Sequence, residues 1–294
     1  LPFSCEAAAM SDADITEVFN RVAEDYRPFN INITTDSTVY LMAPLTQRIR
    51  VVVTPTNSWY PGVGGITYVN SFTWGDETPC FVFCNTLGPN NPKLVAECCS
   101  HESGHSLGLQ HQSSYDESCN ITAVYNCGQG SGEIGWAPIM GNSYYKNMSS
   151  WNNGPTPSGC TIKQDNLSII TSKNGFSYRT DDFSDDINGT VSLIDPANIN
   201  VDGLISNAID KDAFKFKLTK HTNFRLDATP FSVGINNNGA DVDLRIQLFD
   251  ATKNLIGTYD PKTTMSVNVD TVLNAGEYFL VVDGSDNANA TEYN

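Results

Sequence analysis

The segment that decides the fold is His101-Glu-Ser-Gly-His105-Ser-Leu-Gly108-Leu-Gln-His111, which holds three of the four histidines in the chain. No proline lies between Lys93 and the end of this segment, so we expect a helix here. Residues four apart on a helix share one face, so the imidazoles of His101 and His105 can point at a common ion. Gly108 permits a tight or left-handed backbone that ends the helix and brings His111 round as a third nitrogen ligand.

This histidine cluster has the ligand count of a catalytic metal site. Three protein ligands leave one coordination position open, whereas a structural zinc site is closed by a fourth protein ligand. Glu102 follows the first histidine and can reach a water on the ion without coordinating the ion itself, so we predict Glu102 as the general base. A bare HExxH pattern also arises by chance, but the clustering of the histidines favours a site for one Zn²⁺. His221, in KLTKHTNF, has no such partners and is predicted to be an ordinary surface residue.

The cysteines point to an oxidising compartment. All eight precede residue 161, and their even number predicts four disulfides and therefore a secreted, extracellular protein. Their spacings contain no pair of close CxxC motifs, which argues against a zinc site built from thiolates. If CFVFC forms a strand, Cys80 and Cys84 lie too far apart to bond to each other. Cys98 is three residues ahead of His101, but a helix points it one turn away from the histidine site, so we expect it in a bridge instead.

Composition and charge exclude several classes of protein. The chain has 294 residues, of which 40% are hydrophobic, and this suits a folded globular protein. Its formal net charge of −16 repels phosphate backbones and anionic membrane surfaces, so we expect no nucleic-acid partner. No apolar run approaches the roughly 18 residues that cross a bilayer, so we expect no membrane span. We expect the protein to be a monomer.

Residues 1–180 alternate patterns typical of helices and strands, which predicts a domain of the α/β or α+β class. Ser11 followed by Asp14 is an N-cap signature, and apolar residues then recur at helical spacing as far as Pro28. QDNLSIITS, residues 164–172, is a short candidate helix near the end of this domain. Four segments rich in β-branched or aromatic residues are predicted strands: FNINITT (29–35), RIRVVVTPT (48–56), GITYVNSF (65–72) and PCFVFC (79–84).

The composition changes after the acidic run RTDDFSDD, and residues 181–188 are predicted to be an acidic linker. Residues 189–294 contain alternating apolar and polar segments separated by turn formers, which predicts an all-β sandwich domain. In AFKFKL, residues 213–218, we expect the phenylalanines and the leucine to face the core and the two lysines to face water.

Paired carboxylates in the C-terminal part suggest a second kind of metal site. Oxygen ligands at strand ends can bind Ca²⁺. The same side chains can equally form a solvated acidic rim, since no EF-hand spacing is present, and the sequence leaves both readings open. The residues concerned are Asp210, Asp212, Asp241 and Asp243.

The histidine segment resembles the HExxHxxGxxH zinc signature of the metzincin clan of metallopeptidases. Pro138-Ile-Met140-Gly resembles the Met-turn of that clan, and the surrounding WAPIMGNSYYKNMSSWNNG, together with DNLSIITS and GFSYRTDD, is similar to secreted bacterial members. The resemblance implies a metzincin-like catalytic domain with a mixed sheet and an active-site helix. It also implies a zinc endopeptidase that acts on proteins or peptides, with Met140 as a hydrophobic base beneath the three histidines.

The resemblance extends to the substrate site, with one departure. GGITYVNSF resembles the exposed edge strand that metzincins pair with substrate, which implies substrate binding by Gly64, Gly65, Ile66, Thr67 and Tyr68; an ordinary interior strand is the alternative. Astacin-like and serralysin-like members place a tyrosine near the metal two residues after the methionine. Here that position is Asn142, and Tyr144 and Tyr145 come too late to replace it.

The C-terminal part resembles the bacterial pre-peptidase C-terminal domain, a β-sandwich attached to secreted proteases. The motifs concerned are DKDAFKF (210–216), GADVDL (239–244) and AGEYFL (275–280). The predicted function is therefore that of a secreted zinc endopeptidase. The alternatives are a catalytically inert protein whose sandwich binds a surface or substrate, and a metal-dependent hydrolase of bonds other than peptides.

Overall fold

The computed structural model describes residues 4–88 and 91–285. Within them, the chain forms a mixture of short helices and many strands. The helices are α1 (Asp12–Asp25), α2 (Ser37–Met42), α3 (Cys84–Leu87), α4 (Pro92–Ser106) and α5 (Asn166–Lys173), with 3₁₀ turns at Leu45–Gln47 and Ser71–Thr73.

The strands divide between the two parts of the chain on either side of residue 180. In the N-terminal part they are β1 (Val51–Thr54), β2 (Gly65–Ile66), β3 (Cys80–Phe83), β4 (Ser114–Tyr115), β5 (Ile121–Ala123), β6 (Trp136–Pro138), β7 (Met148–Ser150), β8 (Asn153–Thr156) and β9 (Gly159–Asp165). In the C-terminal part they are β10 (Ser192–Leu193), β11 (Asp212–Leu218), β12 (Thr222–Ala228), β13 (Leu244–Asp250), β14 (Leu255–Tyr259), β15 (Val267–Leu273) and β16 (Gly276–Gly284).

A small mixed sheet and two long helices form the core of the N-terminal part. The strand order is β1-β3-β2, with β1 parallel and β2 antiparallel to β3, so β2 lies at an edge. Helix α4 packs against both this sheet and α1. The core that they share contains Val22 of α1, Val82 of β3, Val95 of α4 and Ile170 of α5. This packing holds the helix that carries the histidines against an open sheet edge.

The predicted helices are present and their ends follow from local chemistry. Helix α1 begins after a capping box in which Ser11 and Asp14 exchange side-chain-to-backbone hydrogen bonds. Helix α4 begins with proline at its first position, after an Asn91 side chain that accepts from the Leu94 N–H. Helix α5 begins after Asp165, whose carboxylate accepts from the Ser168 N–H.

The predicted strands of the N-terminal part are too long. FNINITT forms only a single bridge, Phe29 to Tyr178, because no strand pairs with the rest of it in the described structure. GITYVNSF contributes only β2, since Asn70 takes a left-handed conformation (φ 64°) and a 3₁₀ turn follows. PCFVFC contributes β3, but Cys84 already belongs to α3. Short strands of this kind are set by their neighbours rather than by their own propensity.

The C-terminal part is built from two facing sheets. One sheet has the order β10-β11-β16-β13-β14 and the other pairs β12 with β15. Phe216 of β11 stacks on Phe224 of β12 with ring centroids 4.6 Å apart, which joins the two sheets through their shared core. The predicted alternation of β11 is confirmed for Phe214, Phe216 and Leu218, which are buried, and for Lys217, which is exposed. Lys215 is only half-exposed and pairs with Glu277 at 2.9 Å.

The two parts meet through packed side chains and hydrogen bonds. The residues 181–188, predicted as a linker, lie against β11: Phe183 packs on Phe214 with ring centroids 4.6 Å apart, and Ser184 forms a bridge with Ala213. A separate buried cluster combines residues of both parts, namely Ile134, Trp136, Met148, Ala240 and Met265. In the described residues no helix is both long and apolar enough to span a bilayer.

The prediction of four disulfides is corrected by the structure, which forms one, between Cys119 and Cys160. The remaining cysteines are thiols. Cys84, Cys98 and Cys99 are buried in the apolar core around α4. Cys80 is buried as well, and burial raises the pKa of its thiol to about 12. Small apolar side chains and thiols pack equally well in such a core, so an even cysteine count did not imply complete pairing.

Candidate metal centre

Helix α4 and the turn after it bring the three predicted histidines together. His101 and His105 lie one turn apart on α4, and their ring centroids are 4.8 Å apart. His111 closes the group, at 5.2 Å from His101 and 4.7 Å from His105 between centroids. One ring nitrogen from each histidine lies within 4.8 Å of the others, so the group can hold a metal ion.

Gly108 produces the turn that carries His111 back to the helix. Its φ of +102° is a conformation that side chains rarely adopt, and its N–H donates to the His105 carbonyl at 2.9 Å. The Leu109 N–H then donates to the Gly104 carbonyl, which closes the helix end. The predicted sharp turn after α4 is therefore present. A side chain at Gly108 would also meet the Asn70 amide at 2.5 Å.

Backbone carbonyls orient two of the imidazoles. The Nδ1 of His101 lies 2.8 Å from the Ile139 carbonyl, and the Nδ1 of His105 lies 2.7 Å from the Leu109 carbonyl. A ring that donates from Nδ1 keeps the Nε2 lone pair free for an ion. The Nε2 atoms of His105 and His111 are 3.0 Å apart, so they face one another across the group.

Burial keeps the imidazoles neutral. It lowers the pKa of His101 to about 3, with a further contribution from His105. Burial and the charge of His105 lower the pKa of His111 to about 4, and burial also lowers the pKa of His105. Neutral imidazole is the form that binds metal, so these side chains are ready to act as ligands over most of the pH range.

Glu102 lies beside the histidines with a free carboxylate oxygen. The side chain is 6% exposed, and burial raises its pKa to about 7. Its Oε2 is buried and has no hydrogen-bond partner among the described residues. Edge strand β2 lies directly against it, since a Cβ at Gly65 would come within 2.7 Å of both the Glu102 side chain and the Phe81 carbonyl. A proton-accepting group therefore lies against the edge strand β2, on the helix that carries His101 and His105.

The turn at Pro138–Gly141 contacts helix α4 and the segment that carries the histidines. Met140 is fully buried, and a Cβ at Gly104 would lie 2.6 Å from its Sδ, so the methionine packs on α4 between the two helical histidines. The Ile139 carbonyl of this turn is the partner of His101. The Met140 carbonyl accepts from the Gln112 N–H at 2.8 Å, immediately after the third histidine. The turn thus contacts both ends of the histidine group.

The tyrosine nearest to the histidines comes from a segment that the sequence did not single out. The Tyr125 ring packs on His111 with centroids 4.4 Å apart and lies 6.3 Å from His101. Tyr144 is turned away, with its hydroxyl near Gly64 and the Cys98 thiol, and Tyr145 is 82% exposed. No motif or spacing in the sequence marks Tyr125, because a loop brings it to the site.

The predicted substrate residues lie next to Glu102. Gly65 and Ile66 form β2, which pairs with Val82 and Phe81 of β3. The Gly64 carbonyl accepts from the Phe83 N–H at 2.7 Å, so this residue also pairs inward. The remaining two, Thr67 and Tyr68, follow the end of β2, and Tyr68 is 67% exposed.

Other predicted residues lie elsewhere. His221 is on the surface, hydrogen-bonded to Asn274 at 3.0 Å, as expected. Cys98 is buried and does not belong to the histidine group. The carboxylates predicted as calcium ligands separate: Asp241 accepts from the Ser149 N–H at 3.0 Å, and Asp243 is buried near Ser285.

Asp210 and Asp212 instead join carboxylates of the segment after residue 180. Asp212 forms a close group with Asp181 and Asp182, and Asp210 forms one with Asp181 and Asp185. Burial raises the pKa of Asp212 to about 8, and the charges of Asp182 and Asp210 add to the shift. We call these five carboxylates the junction cluster.

A cavity of about 1140 Å³ lies between the N-terminal and C-terminal parts. Its wall includes Asp25, Trp151, Phe231 and Asp241, and none of the three clustered histidines. The histidine group is therefore not part of this cavity.

Comparison of the chain with protein-family models finds no match, and comparison with curated proteins finds none either.

Proposed function

We propose that the protein is a zinc-dependent endopeptidase that acts on extended segments of protein substrates in an extracellular setting. The observation that carries the proposal is the arrangement of His101, His105 and His111 around one point, with the unpartnered carboxylate oxygen of Glu102 beside them. The likeness of the histidine segment and the Met140 turn to the metzincin signature supports it.

The donor set fits zinc. Three neutral imidazole nitrogens are ligands that Zn²⁺ favours, and a set of three protein ligands is typical of catalytic rather than structural sites. The carbonyls behind His101 and His105 are the outer partners that metal-bound histidines usually have. When bound, zinc supplies Lewis acidity toward a substrate carbonyl and toward the attacking water.

Glu102 performs the proton transfers in this proposal. Its Oε2 takes a proton from the attacking water as the water adds to the scissile carbonyl carbon. The same oxygen then gives that proton to the departing amine nitrogen, and this leaves Glu102 ionised for the next cycle. Burial helps both steps, because it raises the pKa of the carboxyl toward neutrality.

Strand β2 binds the substrate backbone. As the edge of the sheet, it can add a further strand through main-chain hydrogen bonds, whatever the side chains of that strand are. Gly65 brings this edge next to Glu102. An extended peptide on the edge would thus pass the carboxylate and the histidine group.

The test is cleavage of an unfolded protein, such as reduced casein, by purified chain. We expect cleavage that stops with a chelator and returns when zinc is added back, and one zinc per chain by elemental measurement. Glu102→Gln should keep the zinc and lose cleavage by about 10²-fold or more. His221→Ala is the matched histidine control and should cleave normally.

Two outcomes would favour the alternatives. Normal cleavage by Glu102→Gln with zinc retained would show that Glu102 is not the general base. Zinc binding by a chain that cleaves no protein would favour an inert binding protein, and the C-terminal part would then be the place to look for the function.

A further inference from the structure

The junction cluster joins two segments that are far apart in the chain. Asp181, Asp182 and Asp185 follow the N-terminal part, whereas Asp210 and Asp212 lie at the start of β11. Backbone hydrogen bonds hold the segments together, since the Ala213 N–H donates to the Ser184 carbonyl at 2.9 Å. The Lys211 N–H also donates to the Asp185 carboxylate at 2.9 Å. The carboxylates are therefore brought together by the fold and not by chance side-chain positions.

The geometry of the cluster is that of a ligand set. One carboxylate oxygen each from Asp181, Asp182 and Asp212 lies within 4.8 Å of the others, and the same holds for Asp181, Asp185 and Asp210. Asp181 belongs to both groups. Oxygens that share one ion at 2.3 to 2.6 Å are separated by distances of about this size or less.

Two of the carboxylates are buried without sufficient partners. Asp210 is 6% and Asp212 is 3% exposed, and the Oδ1 of each has no hydrogen-bond partner among the residues that the structure describes. The backbone at Gly203 packs directly against the Asp212 carboxylate, because a Cβ at Gly203 would lie 2.4 Å from the Asp212 Oδ2. A solvated acidic rim does not bury its oxygens in this way, since an unpaired buried carboxylate costs several kcal/mol.

Within residues 4–88 and 91–285, no lysine or arginine forms an ion pair with Asp210 or Asp212. Lys211 lies between them in the chain, but its ammonium is directed to Asp283 at 3.8 Å. Five carboxylates so close together repel one another unless a cation lies among them.

We propose that the junction cluster binds calcium and so ties the segment after residue 180 to the first long strand of the C-terminal part. The donors are all carboxylate oxygens, which favours a hard cation over zinc. Calcium fits better than magnesium, because it accepts many carboxylate ligands in irregular geometry, while magnesium retains most of its waters. This site is separate from the histidine centre and does not depend on the proposed peptidase activity.

The experiment uses the full-length chain, freed of metal by chelation and dialysis. Calcium chloride is titrated into it by calorimetry, and the melting temperature is measured with and without calcium. We expect a rise in Tm of about 5 °C at a calcium concentration about 100-fold above Kd, and a much smaller rise with magnesium.

Asp212→Asn gives the sharpest test, because the substitution should not lower the melting temperature without calcium but should weaken the stabilisation by calcium. Without calcium, the variant should melt at or above the temperature of the parent chain, since one repelling charge is removed from a buried place. With calcium, it should gain little, because its Kd should rise tenfold or more. Asp181→Asn, at an exposed position where the amide oxygen can still accept from the Phe183 N–H, should lose calcium affinity in the same way. Asp227→Asn makes the same charge change on the exposed face of β12 and should bind calcium normally.

Equal stabilisation of the parent chain and Asp212→Asn by calcium would overturn the proposal, and so would the absence of any calcium-dependent heat or Tm shift in the parent chain. Replacing both His101 and His105 by alanine should leave calcium binding unchanged. Loss of calcium binding in that double variant would also contradict a separate site.

Discussion

At Gly65, the lack of a side chain allows β2 to lie directly against Glu102. A Cβ would come within 2.7 Å of the Glu102 side chain and of the Phe81 carbonyl, and a backbone carbonyl cannot move out of the way as a flexible side chain can. We expect Gly65→Ala to displace Glu102 and the strand edge together. Since a displacement of about 1 Å can reduce turnover about 10²-fold, kcat/KM for a casein peptide should fall by about that factor.

Zinc content separates a displaced base from a lost metal site in this variant. Gly65→Ala should still hold one zinc, because the three histidines are not displaced. Gly189→Ala is the matched control: a Cβ there meets only ordinary contacts at 3.7 Å, so activity should not change. Full activity in Gly65→Ala would show that β2 does not constrain Glu102.

Substitutions at Tyr125 test whether this ring beside His111 supports zinc binding through its packing or through its hydroxyl. Aromatic packing of this kind contributes about 0.5–1.5 kcal/mol, which corresponds to about two- to tenfold in affinity. We expect Tyr125→Phe to keep zinc affinity and Tyr125→Ala to weaken it by about that factor, measured by competition with a chromogenic chelator. If the two variants weaken zinc binding equally, the hydroxyl rather than the ring supports the site.

At the level of single elements, the metal centre was far more predictable than the sheet around it. His101, His105 and Gly108 lie in one continuous segment, so helical spacing and one left-handed glycine determine their geometry. Tyr125 and the exact extent of β2 depend on contacts between distant segments, which local sequence does not encode. For the same reason, the sequence indicated only two of the five carboxylates of the junction cluster. Asp210 and Asp212 were visible as a pair, whereas their partners come from the preceding segment.

The bridge between Cys119 and Cys160 fastens β9 to the loop between β4 and β5. It closes a loop with a sequence separation of 41 residues. In the chain-entropy model, a loop of this size contributes about 4 kcal/mol of stability. We expect the double variant Cys119→Ser/Cys160→Ser to lose about that much free energy of unfolding, measured with urea.

Thiol counting provides the control for this variant. The denatured, unreduced parent chain should expose six reactive thiols, those of Cys5, Cys80, Cys84, Cys98, Cys99 and Cys127. The double variant should expose the same six. A parent chain with no reactive thiol would instead mean four bridges, as the cysteine count alone predicts, and would contradict the six free thiols of the structure.

At the scale of the whole molecule, buried carboxylates from both parts meet where the parts join. Asp25 of α1 and Asp241 of the C-terminal part both contact Ser149, through its hydroxyl and its N–H respectively. Burial raises the pKa of Asp25 well above its ordinary value, and the charge of Glu97 adds to this. Burial and the charge of Asp25 raise the pKa of Asp241 in the same way. The folded chain therefore holds protons here that the unfolded chain releases.

The direction of the resulting pH dependence follows from these raised values. A carboxyl whose pKa is raised by folding contributes its full stability below its unfolded pKa of about 3.9 and loses it as the pH rises through the folded value. Asp241→Asn keeps the acceptor for the Ser149 N–H but carries no charge. Relative to the parent chain, it should therefore be more stable at pH 8, by about 1 kcal/mol, and nearly equal at pH 4.

Urea unfolding at several pH values between 4 and 8, in the presence of a chelator, measures this difference. The junction cluster titrates in both proteins, so its contribution cancels when the two curves are subtracted. Asp195→Asn changes an exposed carboxylate in the same part of the chain and should give a curve parallel to that of the parent. If Asp241→Asn also runs parallel, Asp241 is ionised without cost, and water must then reach it through the cavity between the two parts, whose wall it shares with Asp25.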